Sequence, residues 1–186
     1  MCIMLAVFMG KVLKKKTAVA GDEVTYSLML RQMQKASAIQ HKGIASRHAY
    51  SMDGIDYYCG IRDEDIGILR QKYDVIILDI SFENTFDNTN VTFARMVSRL
   101  SACDEKILAG SMLPWKSREC EKKMERIERF LDIRGLKMVT LAACDKEAVS
   151  IIKNHGVEVV LIPFERNPFV ISGENLRSFL ELLKIT

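Results

Sequence analysis

The chain has 186 residues, 48% of them hydrophobic and 27% charged, with a formal net charge of +3. That composition excludes a disordered or fibrous chain, and the length suits one domain, 1–186, with a full core. The mild charge does not indicate nucleic acid as a partner. The five cysteines, odd in number and without a CxxC pair, argue against zinc and against a disulfide framework, and for reduced thiols in the cytoplasm.

The first nine residues, Met1 to Met9, are mostly apolar but fall far short of the roughly 20 that span a bilayer. They lack a basic region ahead and a small-residue cleavage site behind, so they read as an added strand or helix within residues 1–16 rather than a signal peptide. Lys14, Lys15 and Lys16 follow, a run that reads as a solvated edge. Thr17 to Ala20 then form a short apolar strand that ends in Gly21. Asp22 and Glu23 stand where a first helical turn favours negative charge, and a helix is expected from about Glu23 to Ser37.

Residues 39 to 50 are polar and carry His41 and His48, seven apart without a third ligand. They read as an exposed loop with a short strand near Ile44. Gly54 to Cys59 reads as an aromatic strand and Glu64 to Gln71 as a helix. The next stretch, Tyr73-Asp74-Val75-Ile76-Ile77-Leu78-Asp79-Ile80, is short, rich in β-branched residues and closed by an acid. It is expected at the centre of a parallel sheet, buried on both faces. Asp79 would then sit at the carboxyl end, which in open α/β sheets faces the ligand crevice. The alternative is that it caps its own loop.

A polar loop with Phe82 and Phe86 follows, then a helix from Val91 to Leu100 and a strand from Lys106 to Gly110. A second loop, Met112-Leu113-Pro114-Trp115, leads into a charged helix from Ser117 to Ile133 with an apolar stripe of Met124, Ile127, Phe130 and Leu131. The loop aromatics Trp115, Phe82 and Phe86 are candidate partner contacts, with folding back onto the core as the alternative. A strand from Lys137, a helix from Asp145 to Lys153 closed by Gly156, a strand from Val157 to Pro163 and a helix from Gly173 to Leu183 complete the chain. Strands alternating with helices of this length are the signature of right-handed βαβ crossovers. The expected fold class is α/β, a doubly wound, mainly parallel sheet with helices on both faces.

The strand, glycine and helix that begin at Thr17 are laid out like a phosphate loop, whose glycines wrap backbone N–H groups around phosphate while a lysine neutralises charge and a hydroxyl holds Mg²⁺. Gly21-Asp22-Glu23-Val24-Thr25 keeps one glycine and the hydroxyl of Thr25, but has no lysine and places two carboxylates where a polyphosphate would lie. At about 4 Å and an effective dielectric near 20, each such like-charge contact costs on the order of 4 kcal/mol.

The layout resembles the ParA/MinD-type branch of P-loop ATPases. The resemblance rests on Thr17-Ala18-Val19-Ala20-Gly21 with Thr25 and Leu28-Met29-Leu30, on Tyr73 to Asp79, on Cys103-Asp104-Glu105-Lys106-Ile107-Leu108-Ala109-Gly110-Ser111, and on Val160-Leu161-Ile162-Pro163-Phe164. It implies a three-layer P-loop NTPase-like sandwich, an ATP and Mg²⁺ site in which Thr25 matches the magnesium hydroxyl and Asp79 the central aspartate, and a homodimer. Both the phosphate lysine and the early signature lysine of that family are missing. The expectation is therefore a degenerate member, with Gly21, Asp22, Thr25 and Asp79 as a vestigial nucleotide site, no cofactor, and protein contacts in place of ATPase activity. Two alternatives stand beside it. One is an ATPase with a modified loop, in which Lys14, Lys15 or Lys16 replaces the missing lysine. The other is a receiver-like signalling domain, with Asp79 as phosphoacceptor and Asp22 and Glu23 as its acidic pair.

Overall fold

The computed structural model describes residues 1–21, 37–39, 44, 48–80, 90–111, 113–132, 136–141 and 146–185. They fall into two compact units, Met1–Asn88 with Pro168–Val170, and Thr89–Asn167 with Ile171–Thr186.

In the first unit a helix, α1 (Cys2–Val7), runs into a π-helical turn, Phe8–Val12. The strands are β1 (Thr17–Gly21), β2 (Ser37–Ala38), β3 (His48–Met52), β4 (Ile55–Cys59) and β5 (Val75–Asp79), with α2 (Asp63–Lys72) between β4 and β5. The sheet order is β2-β3-β4-β1-β5. β1 runs parallel to both β4 and β5, whereas β3 is antiparallel to β2 and β4.

Alternate residues of a strand face opposite sides of a sheet, and the two sides are covered differently. Ala18, Ala20, Tyr58 and Ala49 pack with Leu69 of α2 and Tyr73 in one cluster. On the other side, a Cβ on Gly10 of the π-helical turn would lie 2.9 Å from the Ile55 side chain and 3.8 Å from Thr17 Oγ1. The N-terminal segment is thus a helical cover whose Ile3, Met4, Ala6, Val7 and Phe8 are buried. Its apolar sequence follows from that burial.

Two expectations change here. β5 is not central: among the described residues it pairs with β1 alone, whereas β1, buried at every position, lies between β4 and β5. Nor is it buried on both faces: Ile77 alone of β5 is buried, while Val75, Ile76, Leu78 and Asp79 are half-buried, because an edge strand lacks a neighbour on one side. The second change concerns residues 39 to 50. Ile44 lies outside any strand and His48 opens β3 instead of belonging to a loop. Met52 and Ile55 are directly opposed across a two-residue turn, Asp53-Gly54, in which both residues have positive φ, 55° and 79°. Two-residue hairpin turns need that backbone, and Asp-Gly supplies it.

Three hydrogen bonds start the pairing of β1 and β5. Lys16 O accepts from the N–H groups of Asp74 and Val75 at 2.9 and 3.2 Å, and the Lys16 N–H donates to the Asp74 carboxylate at 2.8 Å. Beside them the Tyr73 hydroxyl donates to Asp56 and lies 2.7 Å from the Tyr58 hydroxyl.

The second unit holds α3 (Asn90–Ser101), β6 (Ile107–Ala109), α4 (Pro114–Glu128), β7 (Lys137–Leu141), α5 (Lys146–Asn154), β8 (Glu158–Ile162) and α6 (Gly173–Leu183). β6, β7 and β8 form a parallel sheet in sequence order. Its fully buried side chains include Met124, Ile127, Met138, Ile152 and Phe179. The stripe expected on α4 holds for Met124 and Ile127. Phe130 lies past the helix end and is 62% exposed, its ring edge-on to Phe93 at 5.0 Å. α6 begins at Ser172, whose Oγ accepts the Asn175 N–H at 3.3 Å, a serine N-cap.

The α/β class holds: among the described residues, four of the six strand pairings are parallel. Among the described residues no helix is long and apolar enough to cross a membrane.

Candidate functional site

Two of the residues expected at the site, Gly21 and Asp79, meet at the carboxyl ends of β1 and β5, where they are register partners. A Cβ on Gly21 would stand 3.2 Å from both the Cβ and the carbonyl oxygen of Asp79. Contacts that close force a neighbour to shift, so glycine ends β1 because the Asp79 backbone occupies the space a side chain would need. The Gly21 carbonyl in turn accepts the Gly60 N–H at 2.7 Å, which fixes the end of β4 against that of β1.

Cys59 is the register partner of Gly21 on the other side, and His48 of β3 stands opposite Cys59. The row across this edge is therefore His48, Cys59, Gly21, Asp79. The Cys59 thiol is buried, and burial pushes its pKa up to about 11. A thiol whose protonated form is favoured in this way is a weaker nucleophile than an exposed one at neutral pH. Among the described residues no cluster of His, Cys, Asp and Glu has the arrangement of a metal site. Cys59 and His48 were not anticipated here. The rule that singled out Asp79, that strand ends face the crevice, applies equally to Cys59.

Just past β4, α2 starts with Asp63, Glu64 and Asp65 in its first turn. Asp65 is fully buried and accepts the Arg62 N–H at 3.0 Å and Arg62 Nε at 3.4 Å, while Glu64 holds another guanidinium nitrogen of Arg62. This cation is thereby committed to two carboxylates. The carboxyl ends of β4 and β5 and the start of α2 together present a mainly acidic surface.

Asp22, Thr25, Phe82 and Phe86 lie outside the described residues, as do residues 23–36 of the expected helix and 81–89 of the expected loop; Ser37, expected to end that helix, opens β2 instead, and Asn90 opens α3. Trp115 is not in a loop. Proline at the first helical position starts α4 three residues earlier than Ser117, which puts Trp115 in its first turn. Lys14, Lys15 and Lys16 precede β1 and so stand at its amino end, about 16 Å of strand away from Gly21. No lysine side chain bridges that length, which removes them as substitutes for the missing phosphate lysine.

No protein-family model matches the sequence, and no curated protein matches it. Solved structures do match in fold. MinD in the MinC:MinD cell division protein complex of Aquifex aeolicus aligns with a TM-score of 0.63 at 13% identity, over 99% of this chain and 91% of that one. The MinD cell division protein of Aquifex aeolicus aligns with a TM-score of 0.63 at 12% identity, over 100% and 92%. Apo McdA of Cyanthece aligns with a TM-score of 0.57 at 10% identity, over 98% and 94%. Nearly end to end, this chain has the fold of MinD and McdA.

Proposed function

We propose that this chain is a ParA/MinD-like protein that has kept the scaffold and given up ATP hydrolysis, and that it works through protein contacts. The observation that carries the reading is the charge at the carboxyl end of the five-stranded sheet. Gly21 abuts Asp79, the sequence continues into Asp22 and Glu23 without a lysine, Arg62 is held by Asp65 and Glu64, and the lysine run lies at the other end. Triphosphate needs backbone N–H groups and cations converging on it. The described residues at this edge offer carboxylates and a buried thiol but no cation free of carboxylate partners, which supports the loss of triphosphate binding. A protein partner is consistent with one of the similar structures, in which MinD is complexed with MinC.

Isothermal titration of the full chain with ATP and Mg²⁺ tests this. The expected result is no heat of binding; a micromolar, Mg²⁺-dependent affinity would overturn it.

A further inference from the structure

The amino end of the five-stranded sheet has the opposite electrostatic character to the candidate site. Lys14, Lys15 and Lys16 are exposed. The backbone clasp between Lys16 and Asp74 sets them beside the last turn of α2, which carries Arg70 and Lys72. Lys16 Nζ lies 5.2 Å over the Tyr73 ring, and Lys14 takes a left-handed φ of 56° where the chain reverses out of the π-helical turn. Of the acids beside these residues, Asp74 accepts the Lys16 N–H and Asp56 accepts the Tyr73 hydroxyl. Lys11 stands apart, paired with Asp53 at 2.6 Å.

We propose that this edge, where Lys14, Lys15 and Lys16 meet Arg70 and Lys72, docks an acidic segment of a partner protein. The inference rests on the scaffold reading above and names the chemistry of its partner. Four of the five cations are lysines, compact charges without the planar fork that suits phosphate. Among the described residues, the Tyr73 ring beside these lysines is buried and covered by Lys16 Nζ, so it offers no platform for base stacking. Val12 is 43% exposed two residues before Lys14, an apolar foothold for a peptide side chain. A duplex backbone would also have to lie against Asp74 and Asp56, whereas a peptide spaces its carboxylates to avoid them.

The test is fluorescence anisotropy of a labelled glutamate-rich peptide with the full chain at about 10 mM salt, where the screening length is about 30 Å. Binding is expected to weaken about tenfold or more in the Lys14→Glu/Lys15→Glu variant and to stay unchanged in Lys122→Glu, an exposed lysine of α4 in the second unit. Absence of binding to the unaltered chain, or equal loss in both variants, overturns the proposal. So does tighter, Lys14- and Lys15-dependent binding of duplex DNA or of phosphatidylserine vesicles. Calorimetry with ATP and Mg²⁺ on the same samples separates the two readings. Nucleotide heat with peptide binding intact defeats the scaffold reading alone, and lost peptide binding without nucleotide heat defeats the docking edge alone.

Discussion

Gly21 and Asp79 close the same end of two neighbouring parallel strands, with the place of a missing Cβ 3.2 Å from the Asp79 backbone carbonyl. The contact is to main chain on one side and to a Cβ on the other, and neither can rotate away. Gly21→Val is therefore expected to destabilise the protein by about 1–3 kcal/mol, the usual cost of overpacking. Urea denaturation followed by circular dichroism would measure it. A stability equal to that of the unaltered protein would mean that the two strand ends separate freely.

Cys59 sets a pH limit. Burial raises the thiol from its ordinary value near 9 to about 11, so the folded state favours the protonated form. The stability this contributes is fully present below pH 9 and is lost as pH rises through 11, because the unfolded chain ionises first. Tyr58 acts in the same direction at higher pH. Its phenol is raised to about 12, mainly by burial, against the hydrogen bond with Tyr73, which lowers it. Midpoints of urea unfolding should fall between pH 9 and 11, and Cys59→Ala should flatten the lower part of that fall. An unchanged slope in the variant would assign the loss elsewhere.

Tyr73→Phe removes the donor to Asp56 and leaves the Tyr58 hydroxyl without its partner at 2.7 Å. Buried hydrogen-bonding groups left unmatched cost about 1–3 kcal/mol each. The variant is expected to lose stability in that range, and Tyr58→Phe/Tyr73→Phe to lose less than the sum of the two single changes. A double-mutant cycle by thermal or urea unfolding checks both, and strict additivity would show that the hydroxyls do not act as one network.

Gly21 and Asp79 were legible in the sequence because each closes an apolar run, and a parallel sheet collects such endings at one edge. The neighbour order was not legible. Small residues let β1 sit between β4 and β5, yet Thr17-Ala18-Val19-Ala20 is less apolar than Val75 to Leu78, and hydrophobicity alone ranked the two strands the wrong way round. The hairpin of β3 and β4 had its signal in Asp53-Gly54, a pair of residues that tolerate positive φ, but the flanking histidines and polar residues made the preceding stretch look like a loop. Trp115 was displaced from a loop into a helix by one residue, Pro114, which is favoured at the first helical position as well as in turns. Phe130 matched the spacing of the α4 stripe, but the helix stops at Glu128, and no periodicity predicts exposure beyond a helix end.

The clasp between Lys16 and Asp74 joins residues 58 apart in the chain. Closing a flexible loop of that length costs on the order of 3–4 kcal/mol of chain entropy. The hairpin at Asp53-Gly54, by contrast, closes over two residues and can form within microseconds. Local pairing of β3 with β4 is therefore expected to precede the docking of β1 and β5, with the junction of Gly21 and Asp79 among the last parts of this unit to assemble. A kinetically trapped or truncated chain would carry a formed hairpin and no crevice.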